Sequence, residues 1–214
     1  AIAVQGDRLT AQGGAQLSRV AAEAYRQGLT GMEFASGIPG SIGGAAAMNA
    51  GAYGGEMKDI VESVSAVARD GSILRFGNHD MEFAYRHSRA LSEGLIIVSV
   101  TLALLRGDLA RSKELLHRYT ALRREKQPLE LPSAGSFFKR PCGYFAGKLI
   151  ADAGLKGLRV GGAQVSEKHA GFLVNTGGAT AADVLALAAQ VREKVRELYG
   201  VELEMEVRTV GEDI

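Results

Sequence analysis

The chain has 214 residues, enough for one large domain or two smaller ones with a core each, and 46% hydrophobic with 23% charged residues is ordinary for a globular protein. A net charge of +1 gives no overall field to recruit nucleic acid or an anionic membrane, and the one cysteine, Cys142, excludes an internal disulfide framework and fits a reducing compartment. No apolar run reaches the roughly 18 residues of a spanning helix, and residues 1–14 lack the order of a secretory signal, so a cytoplasmic protein is expected. The absence of an initiator Met, with strand and turn signals from the first residues, suggests a trimmed or partial chain.

Residues 1–11 read as strand, turn, strand. Leu17, Val20, Ala21 and Ala24 then recur at helical spacing through residues 16–27, and Gly28 is a stop signal. Many of the 28 glycines crowd into residues 28–55, interleaved with Phe34, Ile38, Ile42, Met48 and Tyr53. That mixture suits an ordered loop rather than a flexible linker, with a short helix possible over residues 41–49. Residues 60–69 and 72–76 read as strands joined by an Asp70-Gly71 hairpin turn. Asn78 is expected to cap a short helix through Tyr85, and residues 95–105 form a strand. Residues 108–126 predict a charged amphipathic helix with Leu115, Leu116, Tyr119 and Leu122 on one side, ended by Pro128. A second helix is expected over residues 144–153 and a short strand over 172–174. Residues 181–199 predict a long helix with Val184, Leu187, Ala188, Val191, Val195 and Leu198 as its stripe. A last alternating strand spans residues 201–210. The composition shift near residues 105–111 divides the chain into domains at 1–106 and 107–214, an α+β protein overall.

Four segments offer chemistry. Ser36-Gly-Ile-Pro-Gly-Ser-Ile-Gly-Gly-Ala45 and the following Met48-Asn-Ala-Gly-Ala-Tyr-Gly-Gly55 can turn backbone N–H groups toward an anion, with help from a helix opening near Ser41. The spacing is neither the Gly-x-Gly-x-x-Gly fingerprint nor a Walker loop, and a tight packing loop without ligand is the plain alternative. In Tyr85-Arg86-His87-Ser88, Arg86 can grip a carboxylate with two parallel hydrogen bonds, or simply lie on the surface. His87 has no His or Cys at ligand spacing, so no metal site is expected. Ser133-Ala-Gly-Ser-Phe-Phe-Lys-Arg-Pro141 suits a pocket for a phosphorylated ligand or an ordinary turn with Phe137 and Phe138 as core anchors, and it is not a nucleophile elbow. On the last strand, Glu202, Glu204, Glu206 and Arg208 share one face, and spacing alone does not select among them.

Taken together and in order, Phe34-Ala-Ser-Gly-Ile-Pro-Gly-Ser-Ile-Gly-Gly44, Met48-Asn-Ala-Gly-Ala-Tyr-Gly54, Tyr85-Arg-His-Ser88, Lys126-Gln-Pro128, Ala134-Gly-Ser-Phe-Phe-Lys-Arg-Pro141 and Glu204-Met-Glu-Val-Arg208 resemble the UDP-N-acetylenolpyruvoylglucosamine reductases across essentially the whole chain. Val165-Ser-Glu-Lys-His-Ala-Gly-Phe-Leu-Val-Asn175 also fits. The resemblance implies the C-terminal part of a vanillyl-alcohol-oxidase-type FAD-binding domain, followed by a smaller α+β substrate-binding domain. It implies a cytoplasmic monomer in which FAD, reduced by NADPH, delivers hydride to UDP-N-acetylglucosamine enolpyruvate. That step belongs to peptidoglycan precursor synthesis, and so to cell-wall biogenesis, cell shape and cell division.

By motif position, the resemblance gives Arg86 the substrate carboxylate and the developing enolate. It makes Ser136 the acid that protonates carbon and Glu206 the support of the enol intermediate. Lys126, Arg140 and His169 are implied at the diphosphate or uridine. The resemblance also implies Gly37, Ile38, Pro39, Gly40, Gly43 and Gly44 along the flavin's pyrophosphate and ring, and Arg208 at its carbonyl edge. Arg140 stands where some members have Asn, and Met205 where proline is common. The interval 105–124 is too short for the tyrosine-bearing insertion of one branch, so the shorter branch is implied. The family's Gly-x-Gly-Ser-Asn segment, which grips the FAD diphosphate, has no counterpart here. A non-catalytic nucleotide-sugar-binding fragment unable to hold FAD is therefore the competing expectation.

Overall fold

The computed structural model describes residues 1–211, which form two compact units, Ala1–Arg123 and the part from Arg124 onward. In chain order the first unit contains β1 (Ile2–Gln5), β2 (Arg8–Gln12), α1 (Leu17–Arg26), β3 (Leu29–Thr30), α2 (Ile42–Ala47), β4 (Gly51–Ala52), β5 (Gly55–Glu56), β6 (Val61–Val67), β7 (Ile73–Gly77), α3 (Arg89–Ser92), β8 (Ile96–Ala103), β9 (Leu105–Arg106) and most of α4 (Leu109–Lys126). Its main sheet is antiparallel in the order β1-β2-β8-β6-β7.

Alternation builds this sheet. In β2, Leu9 and Ala11 are buried while Arg8, Thr10 and Gln12 are exposed, the period-2 pattern of a strand with one covered face. Leu17, Val20 and Ala24 of α1 and Ile42, Ala45 and Ala46 of α2 join Val64, Val100 and Leu102 of the sheet in one core. Gly28, at φ +75°, follows α1 in a conformation that favours glycine.

The expected helix from Asn78 through Tyr85 is only a 3-10 turn, His79–Met81. Asn78 makes no cap; its Nδ2 donates instead to Lys58 O at 2.8 Å and Val61 O at 2.6 Å, tying the hairpin end to the preceding turn. Helix α4 forms as expected, yet the units divide near its C-terminal end, later than residue 106. Two contacts explain why most of it counts with the first unit: Ser112 Oγ donates to Glu33 Oε1 at 2.6 Å, and Tyr119 stacks on Tyr53 with ring centroids 4.2 Å apart.

The second unit contains β10 (Ser133–Ser136), α5 (Ala146–Asp152), β11 (Arg159–Val160), β12 (Ala163–Val165), β13 (Phe172–Asn175) and α6 (Ala181–Tyr199). Its antiparallel sheet runs β10-β13-β12-β11. Phe137, Phe138, Leu149, Ile150, Val165, Leu187, Val191, Val195 and Leu203 form its core. Helix α6 opens with a capping box in which Thr180 Oγ1 accepts from Asp183 N and Asp183 Oδ2 from Thr180 N, and it closes at Gly200, φ +67°. Its expected stripe is buried at Leu187, Ala188, Val191 and Val195, but Leu198, one residue before the helix ends, is half exposed. Helix α5 starts at Ala146, two residues later than expected, with Phe145 in extended backbone.

The last expected strand, residues 201–210, is a correction. Among the described residues it makes one bridge, Phe138 with Met205. Two backbone bonds flank that bridge, Lys139 N to Glu204 O at 2.8 Å and Glu206 N to Phe137 O at 2.9 Å. Burial follows: Leu203 enters the core, while residues 208–211 are exposed.

Candidate functional site

On the first unit the glycine loop leads into α2. Ser41 caps that helix, its Oγ accepting from Gly44 N at 3.2 Å. The next donors are already committed: Ile42 N bonds Ala15 O at 2.8 Å and Gly43 N bonds Gly13 O at 2.9 Å. Gly43 is needed for packing, since a Cβ there would lie 2.9 Å from Gly13 O and 3.2 Å from Ile97 O. The start of α2 therefore docks on the protein's own backbone instead of converging on an anion. Open space lies on the other half of the loop, where Gly40, at φ +110°, would meet nothing with an added Cβ.

Gly37, at φ +76°, faces Arg123 of α4, whose Nε would lie 3.0 Å from an added Cβ. That Nε is buried and has no hydrogen-bond partner among the described residues. A buried guanidinium N–H without an acceptor is costly, so this corner suits a ligand rich in acceptors, as a flavin or a phosphate is. Tyr53 lies nearby: its ring is parallel to Tyr119 within 3°, its hydroxyl donates to Tyr119 O at 3.2 Å, and Arg123 sits 5.9 Å from its ring centroid. Sequence reasoning placed Tyr119 on the apolar side of α4 but missed Arg123, which reads as one more charge in a charged helix.

Arg86 stands in a tight turn closed by reciprocal bonds, Ala84 N to His87 O at 3.1 Å and His87 N to Ala84 O at 3.2 Å. Its φ is +54°, unusual for a residue with a side chain. Its guanidinium lies 5.0 Å from the Tyr85 ring centroid, and His87 Nε2 is 2.8 Å from Ser92 Oγ. Among the described residues no group of three or more His, Cys, Asp or Glu could hold a metal ion.

On the second unit, β10 carries one extra residue between its pairings Ser133–Val174 and Ser136–Phe172. Gly135, at φ +81°, lies in that bulge, and such irregularities re-aim the next side chain. Ser136 is exposed while Phe137 and Phe138 are buried, so the aromatic pair does anchor the core as the plain reading held. The bond from Glu206 N to Phe137 O brings Glu206, half-buried, alongside the residue next to Ser136. Glu204 instead pairs with Lys139.

His169 joins the same neighbourhood: its Nδ1 accepts from Gly171 N at 3.1 Å, and Gly171 O accepts from Phe137 N at 2.8 Å. The ring packs edge-on to Phe172, 5.0 Å between centroids. Burial pushes the His169 pKa below its ordinary value, so near neutral pH the ring is uncharged and offers hydrogen bonding, not charge. Arg140 lies 4.4 Å from the Phe145 ring centroid. Lys126 is exposed at the end of α4, in a segment held by Lys168, whose Nζ donates to Arg124 O at 2.7 Å and pairs with Glu130 at 3.7 Å. Arg208 is exposed beyond the bridge.

Residues 1–77 match the family described as FAD binding domain, and residues 127–210 that described as UDP-N-acetylenolpyruvoylglucosamine reductase, C-terminal domain. The chain is 53% identical over 210 residues to a UDP-N-acetylenolpyruvoylglucosamine reductase of Limosilactobacillus fermentum, covering 98% of this chain and 70% of that protein. It is 51% identical over 211 residues to that of Caldanaerobacter subterraneus subsp. tengcongensis, covering 99% and 70%. The crystal structure of UDP-N-acetylenolpyruvylglucosamine reductase from Thermus caldophilus superimposes with a TM-score of 0.81 at 38% identity, covering 92% of this chain and 71% of that one. Both matched domains lie in the order the fold displays, and the chain belongs to the UDP-N-acetylenolpyruvoylglucosamine reductase family.

Proposed function

We propose that this protein reduces the enolpyruvyl ether of UDP-N-acetylglucosamine to UDP-N-acetylmuramate, using NADPH and FAD, in the synthesis of peptidoglycan precursor. Family membership across nearly the whole chain carries this reading. The Gly37 and Gly40 side of the loop, with the unpaired Nε of Arg123, fits a flavin, while Gly43 serves by letting α2 close on Gly13. Gly44, Ile38 and Pro39 would complete that lining, and Arg208 would serve the ring's carbonyl groups. Bound FAD supplies the hydride, drawn from NADPH.

The protein's own residues do the rest. Arg86 holds the substrate carboxylate and stabilises the negative charge that develops beside it as hydride reaches the terminal carbon. Ser136 Oγ delivers a proton to the neighbouring carbon, so that hydride and proton together saturate the double bond. A free hydroxyl is a weak acid, and Glu206 orients the reacting end and supports the enol form. Lys126 and Arg140 meet the diphosphate with charge, and His169 meets diphosphate or uridine as a neutral hydrogen-bonding ring. The same reading makes the protein a cytoplasmic monomer active in cell-wall growth; no helix among the described residues is long and apolar enough to cross a membrane.

Ser136→Ala tests the assignment. Substrate reduction should slow by about 10²–10⁴-fold with nucleotide-sugar affinity retained. Unchanged turnover would remove Ser136 from the mechanism. Titration with FAD, followed by quenching of its fluorescence, should saturate; failure to bind would favour a nucleotide-sugar-binding module without redox chemistry.

A further inference from the structure

We propose that Asn49 and Ser88 are positioning residues that fix the Arg86 turn to the C-terminal end of α2, and so set the guanidinium at a constant distance from the glycine loop at the other end of that helix. The catalytic consequence rests on the function proposed above; the clamp itself does not.

The turn needs such a device. Ala84, Tyr85 and His87 are exposed, so core packing does little to hold them, and Arg86 adopts a left-handed conformation that L residues rarely choose. Two side chains tie down the turn, one at each end. Asn49 Nδ2 donates to Ala84 O at 3.0 Å, and Ser88 Oγ donates to Ala47 O at 2.7 Å. Ala47 is the last residue of α2, and Asn49 follows its C-cap, Met48. Both side chains are fully buried; among the described residues only two other polar residues, Ser112 and Ser166, are buried. Burial of that kind is retained where a hydrogen bond is required.

Asn49 is also chemically specific. Its Nδ2 donates a second bond, to Glu56 Oε2 at 2.5 Å, while its Oδ1 accepts from Lys58 N at 2.9 Å. Because Lys58 N can only donate and Ala84 O can only accept, the amide has one orientation. Aspartate would keep the bond from Lys58 but set an oxygen against Ala84 O and Glu56. Leucine would remove all three bonds. Asn49 itself sits at φ +42°, a conformation asparagine tolerates better than most residues.

α2 is thus a spacer. Its N-terminal approach carries the loop assigned to the cofactor, its C-terminal end carries the clamp on Arg86, and six helical residues separate them. Hydride transfer depends on the separation between donor and bound carboxylate, and small misplacements are costly.

The test compares Ser88→Ala, Ser88→Thr and Asn49→Asp with the unaltered protein. Amide hydrogen exchange at Ala84 and His87, measured without ligand, should rise by roughly tenfold or more in Ser88→Ala and Asn49→Asp, while amides of β6 and β8 stay protected. In the same variants kcat for substrate reduction should fall further than the rate of flavin reduction by NADPH, and KM for the carboxylate substrate should rise. Ser88→Thr should restore both. Unchanged exchange at the two amides, or a rise shared by the whole sheet, overturns the clamp. Local exchange that rises without any selective loss of substrate reduction overturns its catalytic role. An unaltered protein that does not reduce the enolpyruvyl nucleotide overturns the proposed function, and the exchange result then decides the clamp alone.

Discussion

Gly43 and Gly44 are neighbours in the first turn of α2, and the structure assigns them opposite responses to the same substitution. At Gly43, which is buried, an added Cβ would stand 2.9 Å from Gly13 O, 3.1 Å from Gly13 Cα and 3.2 Å from Ile97 O. These are backbone atoms, and Gly13 is pinned: its O accepts from Gly43 N at 2.9 Å and its N donates to Val98 O at 2.7 Å. No side chain can swing away, so α2 must lift off. Overpacking of this kind costs about 1–3 kcal/mol, against a gain of at most about 1 kcal/mol from replacing glycine in a helix. At Gly44, which is exposed, the nearest atom to an added Cβ is Ser41 Oγ at 3.4 Å, an ordinary contact, and the capping bond uses only the backbone N–H. Gly44→Ala should therefore be neutral or stabilising by up to about 1 kcal/mol. Thermal unfolding of the first unit should separate the variants, at roughly 2–8 °C per kcal/mol for domains of this size range. Gly43→Ala should also weaken FAD binding more than Gly44→Ala, because it tilts the helix that ends the loop. A Gly43→Ala protein as stable as Gly44→Ala would refute the close-packing account.

Three further outcomes are expected. Thr180→Ala removes the cap of α6 and should lower stability by about 1 kcal/mol, read as a shifted urea midpoint with an unchanged m-value; no shift would mean that the capping box contributes nothing. His169, held below its ordinary pKa by burial, takes up its proton at lower pH in the folded protein than in the unfolded chain, which titrates at about 6.5. Its neutral burial is therefore without cost above that pH and destabilising below it. Tm measured from about pH 7.5 down to about 5.5 should decline less steeply in His169→Gln; parallel declines would contradict the burial effect. Asn78→Ala leaves Lys58 O and Val61 O without their donor and should cost about 1–3 kcal/mol, measurable by chemical denaturation. An Asn78→Ser variant that cured nothing is expected, since serine is too short to reach both carbonyls.

Local chemistry determines most of the elements. Leu17, Val20 and Ala24 mark the buried side of α1, and Leu187, Ala188, Val191 and Val195 that of α6, because these signals act over a few turns of chain. The candidate residues Arg86, Ser136 and Glu206 were legible only through motif resemblance; spacing alone could not separate Glu206 from Glu202 and Glu204. What the tertiary structure decided is everything set by partners remote in sequence. Residues 201–210 alternate like a strand, yet among the described residues they bridge once, Met205 with Phe138, with one backbone bond on either side to Lys139 and Phe137. Asn78 reads as a helix cap but serves two carbonyls some twenty residues back. Arg123 looks like a surface charge until Gly37 is set against it, and Asn49 looks like a turn residue until Ala84, 35 positions later, is brought to its amide. Periodicity reports which face of an element is apolar; it carries no information about which carbonyl will be waiting there, and that is what places the Arg86 turn.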